Sequence, residues 1–314
     1  MTKSTLERAA RLERAWLSLE GLSIGDAFGE QFFLRYTHIA EALIAQRAEP
    51  PGPWAWTDDT EMALAIVEVL DGFEEIDRDA LARAFVRRYV NDPHRGYGSG
   101  AHDILGAIAA GEPWQEAAAA VFGGTGSMGN GGAMRAAPLG GYFAEDLDAV
   151  VAQARASAQV THAHPEGQAG AIAVAVAAAW AWRHRGDPAL ARELIQAAVE
   201  RTPDGDTRAG LVAAAALPFK ASVAEAVGKL GNGSRIISRD TAPFALWCAA
   251  RHIDDFTEAM WATVSGLGDR DTTCAIVGGI VALHVGAQGI DPHWRASRAP
   301  LLQDWLSGER GDGL

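Results

Sequence analysis

Ala169-Gly170-Ala171-Ile172-Ala173-Val174-Ala175-Val176-Ala177-Ala178-Ala179-Trp180-Ala181-Trp182 is an uncharged run of small and branched apolar residues. A membrane crossing takes about 18 such residues or more. This run is shorter, so it reads as a helix buried on all sides in a large core. Residues 274–287 read the same way. Outward from these two, Ala-rich segments with helical spacing cover 5–29, 60–71, 79–91, 100–110, 114–121, 146–159, 166–184, 188–200, 207–216, 221–229, 241–252, 255–265 and 272–288. Strand signals are confined to a short piece, Arg235-Ile236-Ile237. The expected fold is all-α.

Loops are marked by Pro50-Pro51-Gly52-Pro53, Asn91-Asp92-Pro93, Gly123 to Gly132, Pro203-Asp204-Gly205-Asp206 and Gly231-Asn232-Gly233. None is long or polar enough to link two domains, so residues 1–314 are expected to form a single compact multi-helix domain. Apolar residues make up 48% of the chain, enough for such a core and too many for disorder. A net charge of −13 argues against a dedicated nucleic-acid surface, which needs basic side chains to release counterions. Residues 1–20 carry charges throughout and no apolar leader core. Cys248 and Cys274 lie in apolar surroundings without metal spacing. These features lead us to expect a soluble cytoplasmic protein that does not engage a membrane.

Two short acidic clusters, Thr57-Asp58-Asp59-Thr60 and Asp269-Arg270-Asp271-Thr272, each run into an apolar helical stretch. A hydroxyl followed by acids in the first turn is a good helix start. Capping, however, accounts for one acid per helix more readily than for two. Together the clusters offer four carboxylates and hydroxyl oxygens, with no thiol or imidazole. Hard Mg²⁺ or Mn²⁺ ions prefer that donor set. If the fold joins the clusters, the first quarter of the chain and the last build one binuclear site. Upstream, Gly21, Gly25 and Gly29 recur every four residues and would let a helix pack closely. Asp26 and Glu30 share a neighbouring face at i, i+4, where two acids repel unless a cation lies nearby.

The run Gly123-Gly124-Thr125-Gly126-Ser127-Met128-Gly129-Asn130-Gly131-Gly132-Ala133-Met134-Arg135 is neither a Walker A loop nor a dinucleotide fingerprint. Its glycines let backbone N–H groups converge on an anion, with the positive end of the following helix behind them. Asn130 and Arg135 beside them point to a ligand-contacting loop. Arg95-Gly96-Tyr97-Gly98-Ser99-Gly100 is a second glycine loop, whose aromatic can line a sugar or base; Asp103 lies one turn further on. His162 and His164 lack the partners of a zinc site. They read as a helix-start pair that either contacts a ligand or caps.

Taken together these segments resemble the ADP-ribosylglycohydrolase family, which includes the dinitrogenase reductase-activating glycohydrolase and hydrolases of ADP-ribosylserine and ADP-ribosylarginine. The matching pieces are Gly25-Asp26-Ala27-Phe28-Gly29, Thr57-Asp58-Asp59-Thr60, Gly96-Tyr97-Gly98-Ser99-Gly100, Gly129-Asn130-Gly131 with Met134-Arg135 and Pro138, Thr161-His162, and Gly268-Asp269-Arg270-Asp271-Thr272. They follow the family's order between residue 21 and about 289. The resemblance implies an all-α fold with two central Mg²⁺ or Mn²⁺ ions, held by Thr57, Asp58, Asp59, Asp269, Asp271 and Thr272. It implies that Gly126, Ser127, Met128, Gly129, Asn130 and Gly131 hold the diphosphate and adjoining ribose of ADP-ribose. Tyr97, Gly98, Ser99 and Gly100 would line the distal ribose, and Met134 and His162 would sit against the ligand. Two departures stand out. Phe33 occupies the position where the family usually carries a metal-approaching glutamate, which leaves Glu30, one turn earlier, as a substitute. Met128 stands where some relatives carry an aromatic that stacks on adenosine.

The implied reaction is hydrolysis at the anomeric carbon of ADP-ribose joined to a protein or other acceptor, with ADP-ribose as product. Asp58, Asp59, Glu30 and Asp103 are the candidates for its catalytic acid and base. The alternatives are a catalytically silent ADP-ribose- or nucleotide-binding member of the fold, or a hydrolase of a free ADP-ribose conjugate. The acceptor stays open: arginine, serine, another side chain or a base.

Overall fold

The computed structural model describes residues 3–33 and 37–301; of the expected span, residues 1–2, 34–36 and 302–314 lie outside the described residues. Among the described residues helices alternate with turns, and the only β pairings are isolated bridges, Trp54 with Arg298 and Gly129 with Ile237. The strand expected at Arg235-Ile236-Ile237 is absent. Ile236 turns left-handed (φ 56°), which breaks any extended run and leaves Ile237 to pair alone.

Two helices form the axis of the molecule, Lys3–Phe33 and Arg270–Val285. A Cβ on Gly21, Gly25 or Gly29 would stand 2.3, 2.1 and 2.3 Å from the carbonyl oxygens of Gly278, Cys274 and Arg270, respectively. The glycine stripe therefore lies backbone against backbone, and its partners count down as it counts up, so the helices run antiparallel. This close approach sets Asp26 and Glu30 beside the start of the Arg270 helix. Arg270 completes the junction by donating from Nη1 to the Phe32 carbonyl at 2.9 Å. Gly25→Ala would drive a methyl into the Cys274 carbonyl. The expected cost is about 1–3 kcal/mol of stability, read as a lower urea midpoint at an unchanged slope.

Next to the glycine stripe of the Lys3–Phe33 helix, Phe28 packs against Trp54, Trp261 and Trp294, with ring centroids 5.5, 5.0 and 4.5 Å away. Behind the axis runs Pro165–Arg183, buried at every residue from Ala169 to Ala181 and packed against Ala137–Tyr142, Leu147–Gln159 and Arg270–Val285. No described helix is long and apolar enough to cross a membrane. A helix that the periodicity did not indicate, Thr37–Gln46, is tied to the body by a two-pronged pair between Arg47 and Glu258.

Candidate active site

Asp26 organises the first acidic cluster. Fully buried, its carboxylate accepts from the backbone N–H groups of Thr57 at 2.9 Å and Thr60 at 3.1 Å, and from both threonine hydroxyls. A side chain on one helix thus caps the start of another, Asp58–Phe73, with charge-assisted bonds. The two clusters meet at Asp59, whose Oδ2 lies 3.2 Å from the Thr57 hydroxyl and 3.5 Å from the Thr272 hydroxyl. Asp58 is positioned by its N–H, which donates to the Arg95 carbonyl at 2.8 Å. Gly96, at φ 97°, lets that loop turn next to the Asp58 carboxylate.

Burial governs the electrostatics. It pushes Asp26 up to about 6 against the bonds from Thr60 and Thr57. Burial and then the charges of Asp26 and Asp269 push Asp58 up to about 8. Asp59 and Asp271 lie well above the usual carboxylate range, held there by burial and then by Asp271 and Asp269 respectively. Glu30, half-buried, is pushed up to about 7 by burial and by the charge of Asp26. Among the described residues no three acid, His or Cys side chains already close into a metal cage. Yet Asp59 Oδ1 and Asp271 Oδ1 are buried without a hydrogen-bond partner. Orphaned carboxylate oxygens amid like charges are costly unless a proton or cation serves them, and this all-oxygen set suits a hard divalent ion.

The glycine loop lies against the second cluster. Asn130 Nδ2 donates to Asp269 Oδ2 at 2.6 Å and to the Thr241 hydroxyl at 3.0 Å, so this side chain is a tether between loop and acids. Three bonds pin the loop from the far side. Asn130 N–H donates to the Ile236 carbonyl at 3.3 Å; Ser238 donates from N–H to the Met128 carbonyl at 3.1 Å and from its hydroxyl to the Gly129 carbonyl at 3.0 Å. The N–H groups of Ser127, Met128, Gly131 and Gly132 have no acceptor among the described residues. The helix expected behind the loop is a single turn, Gly131–Met134, too short to add a sizeable dipole. Anion binding here would rest on the N–H groups themselves.

His162 and His164 part company. His164 caps Pro165–Arg183, its Nδ1 accepting from Glu166 N–H at 3.1 Å. The His162 ring is buried under the glycine loop, with Nδ1 2.7 Å from the Thr161 hydroxyl. Arg135 is buried as well, its guanidinium over the Phe85 ring at 4.4 Å and donating to the Thr161 hydroxyl at 2.8 Å. It balances the acids from below; burial lowers its pKa to about 9, which leaves it charged at neutral pH. Met134 is buried, whereas Met128 is exposed.

The second glycine loop ends at the helix Ser99–Ala109. Tyr97 is buried edge-on to Tyr89, ring centroids 5.2 Å apart, with its hydroxyl unpartnered among the described residues. Gly98 and Ser99 are exposed, and a Cβ on Gly100 would stand 3.2 Å from the ring of Phe122. Asp103 is exposed, and no hydrogen bond or ion pair among the described residues joins it to the acidic centre. Phe122 itself is an exposed aromatic in the left-handed region (φ 55°, ψ 44°). That conformation costs a non-glycine residue about 1 kcal/mol or more.

A sequence model of the ADP-ribosylglycohydrolase family matches residues 7–310 of this chain. The chain belongs to that family. Its relatives include the human ADP-ribosylhydrolase ARH3, 31% identical over 92% of this chain and 90% of the human protein. The mouse ADP-ribosylhydrolase ARH3 is 29% identical over 89% of this chain and 85% of its own length. Among solved structures, one titled an ADP-ribosylglycohydrolase-related protein complex shares the fold with a TM-score of 0.65 at 24% identity, covering 93% of this chain and 94% of its own.

Three residues around these loops do more than their sequence context indicates. Asp26, marked in the sequence by its spacing to Glu30, is also the cap that builds the first cluster. Arg135, which flanks the glycine loop in sequence, turns inward over Phe85 and donates to Thr161. Phe122, which no periodicity or motif singles out, is held exposed at a left-handed turn just before Gly123-Gly124.

Proposed function

We propose that this chain hydrolyses the glycosidic bond between the anomeric carbon of ADP-ribose and an acceptor, releasing ADP-ribose. The observation that carries this reading is the junction of two acid clusters with a loop of free N–H groups, fastened by the Asn130–Asp269 hydrogen bond. Ser127, Met128, Gly131 and Gly132 would receive the diphosphate oxygens on their N–H groups. Phe122 and Met128 are the exposed apolar surfaces beside them that suit adenosine. Tyr97 to Gly100 would flank the ribose that carries the scissile bond.

Thr57, Asp58, Asp59, Asp269, Asp271 and Thr272 would hold two Mg²⁺ or Mn²⁺ ions, which when bound neutralise the acids and polarise the oxygens of ribose and water. With those acids so engaged, Glu30 is the carboxyl group best matched to proton transfer. Burial and the charge of Asp26 raise its pKa to about 7 before any ion binds, and of the candidate bases outside the ligand set it is the one that borders Asp26. Glu30 would take the proton of the attacking water and return it to the departing acceptor atom.

The test is a panel of ADP-ribosylated acceptors, including peptides modified on serine and on arginine, assayed with Mg²⁺ and with Mn²⁺. Free ADP-ribose should appear from at least one of them. Tight ADP-ribose binding with no release from any acceptor would favour the binding-only reading.

A further inference from the structure

We infer that Arg135 and Thr161 form a hydrogen-bond relay that holds His162 as its Nε2–H tautomer, a donor facing the glycine loop. The relay stands on hydrogen-bond geometry, with burial in support; the ligand it serves rests on the function proposed above. A guanidinium only donates, so Arg135 Nη2, 2.8 Å from the Thr161 oxygen, occupies one lone pair of that hydroxyl. The hydroxyl proton is then free to point elsewhere. Its acceptor within reach is His162 Nδ1, 2.7 Å away. With Nδ1 accepting, a neutral imidazole carries its proton on Nε2. A proton on Nδ1 would strand the buried Thr161 hydroxyl proton without an acceptor, at the full desolvation penalty.

The imidazolium form also carries a proton on Nδ1 and meets the same penalty, and burial and the charge of Arg135 lower the His162 pKa to about 3. The ring is also locked in place. Gly167 leaves room for it where a Cβ would stand 2.9 Å from Cδ2, and Cβ atoms on Gly129 or Gly131 would each stand 3.4 Å from Nε2. Nε2 thus lies directly under the loop, with no hydrogen-bond partner among the described residues. What it can recognise is an oxygen acceptor, such as a phosphate or ribose oxygen, and not a donor group. Arg135 and Thr161 are positioning residues that act through His162.

Long-range proton–nitrogen correlation spectra of histidine-labelled protein read the tautomer directly, with His162 assigned by its loss in His162→Gln. The wild type should show Nε2 protonated and Nδ1 bare. Thr161→Val should mix the tautomers and weaken ADP-ribose binding about tenfold, the loss of one hydrogen bond to a charged or polar oxygen. Thr161→Ser should restore both. If the valine variant does not fold, the wild-type spectrum and the serine variant still decide. A wild type protonated on Nδ1, or an unchanged tautomer in a folded Thr161→Val, overturns the relay. The spectra are recorded without ADP-ribose. An Nε2–H signature in a protein that fails to bind ADP-ribose would therefore count against the proposed function and for the relay.

Discussion

Removing divalent cations with EDTA is expected to abolish release of ADP-ribose, and Mg²⁺ or Mn²⁺ to restore it. Asp58, Asp59, Asp269 and Asp271 crowd into a buried space in which Asp59 Oδ1 and Asp271 Oδ1 have no hydrogen-bond partner among the described residues. All the donors are hard oxygens, so Mg²⁺ or Mn²⁺ should rescue where soft ions do not. Asp58 and the neighbouring Asp26 and Glu30 make cation binding visible in stability. Asp26, Glu30 and Asp58, at about 6, 7 and 8, hold protons in the folded state that an unfolded chain has already released. Their folded pKa values lie above the unfolded ones. Their contribution to stability therefore falls as pH rises from about 4 to about 8. Cations compete with those protons, so added Mg²⁺ should raise Tm more at about pH 8.5 than at about pH 6. At a hundredfold excess over Kd the gain is about 2.7 kcal/mol, or roughly 5 °C for a chain of this size. Activity that survives exhaustive chelation, or a Tm indifferent to the cations at both pH values, would contradict this.

Glu30→Gln is expected to leave ADP-ribose affinity near that of the parent while lowering kcat by roughly 10²-fold or more, the contribution of a general base. With Phe33 at the end of this segment, Glu30 is the half-buried carboxyl near Asp26. Folding should not suffer, because the amide removes a like charge from beside Asp26. Single-turnover rates and calorimetric Kd values on the same preparation separate the two effects. An unchanged rate would return the proton transfer to Asp58, Asp59 or Asp103.

Much of the architecture was legible because it is written in periodicity. The Ala-rich runs have helical spacing, and Gly21, Gly25 and Gly29 mark a face that something must approach. What approaches is not legible, since the carbonyls of Arg270, Cys274 and Gly278 are backbone groups that any residue type supplies. Thr37–Gln46 was missed because a short helix draws its stability from tertiary anchoring, here Arg47 on Glu258. Ile236-Ile237 was misread because a β-branched residue rarely takes positive φ, and no residue type announces the exception. In the site, residue types identified the acids, but not the direction in which a side chain points. Asn130 reaches to Asp269, and Arg135 turns inward to Phe85 and Thr161. Asp26 acts on Thr57 and Thr60 across a chain reversal, which spacing along one helix cannot show.

The glycine stripe also sets an order of events during synthesis. The helix that carries Gly21, Gly25 and Gly29 leaves the ribosome early, while the carbonyls it packs against arrive only after residue 270 has been made. Contacts of such long sequence separation form late and slowly. Until then Asp26 can cap the Asp58 helix, but Asp269, Asp271 and Thr272 do not yet exist. A nascent or truncated chain that stops short of that point has half of an acidic centre and no means of closing it. Short of that segment the acids at 57–59 stand without their counterparts, and the joined centre forms in one step once it is made.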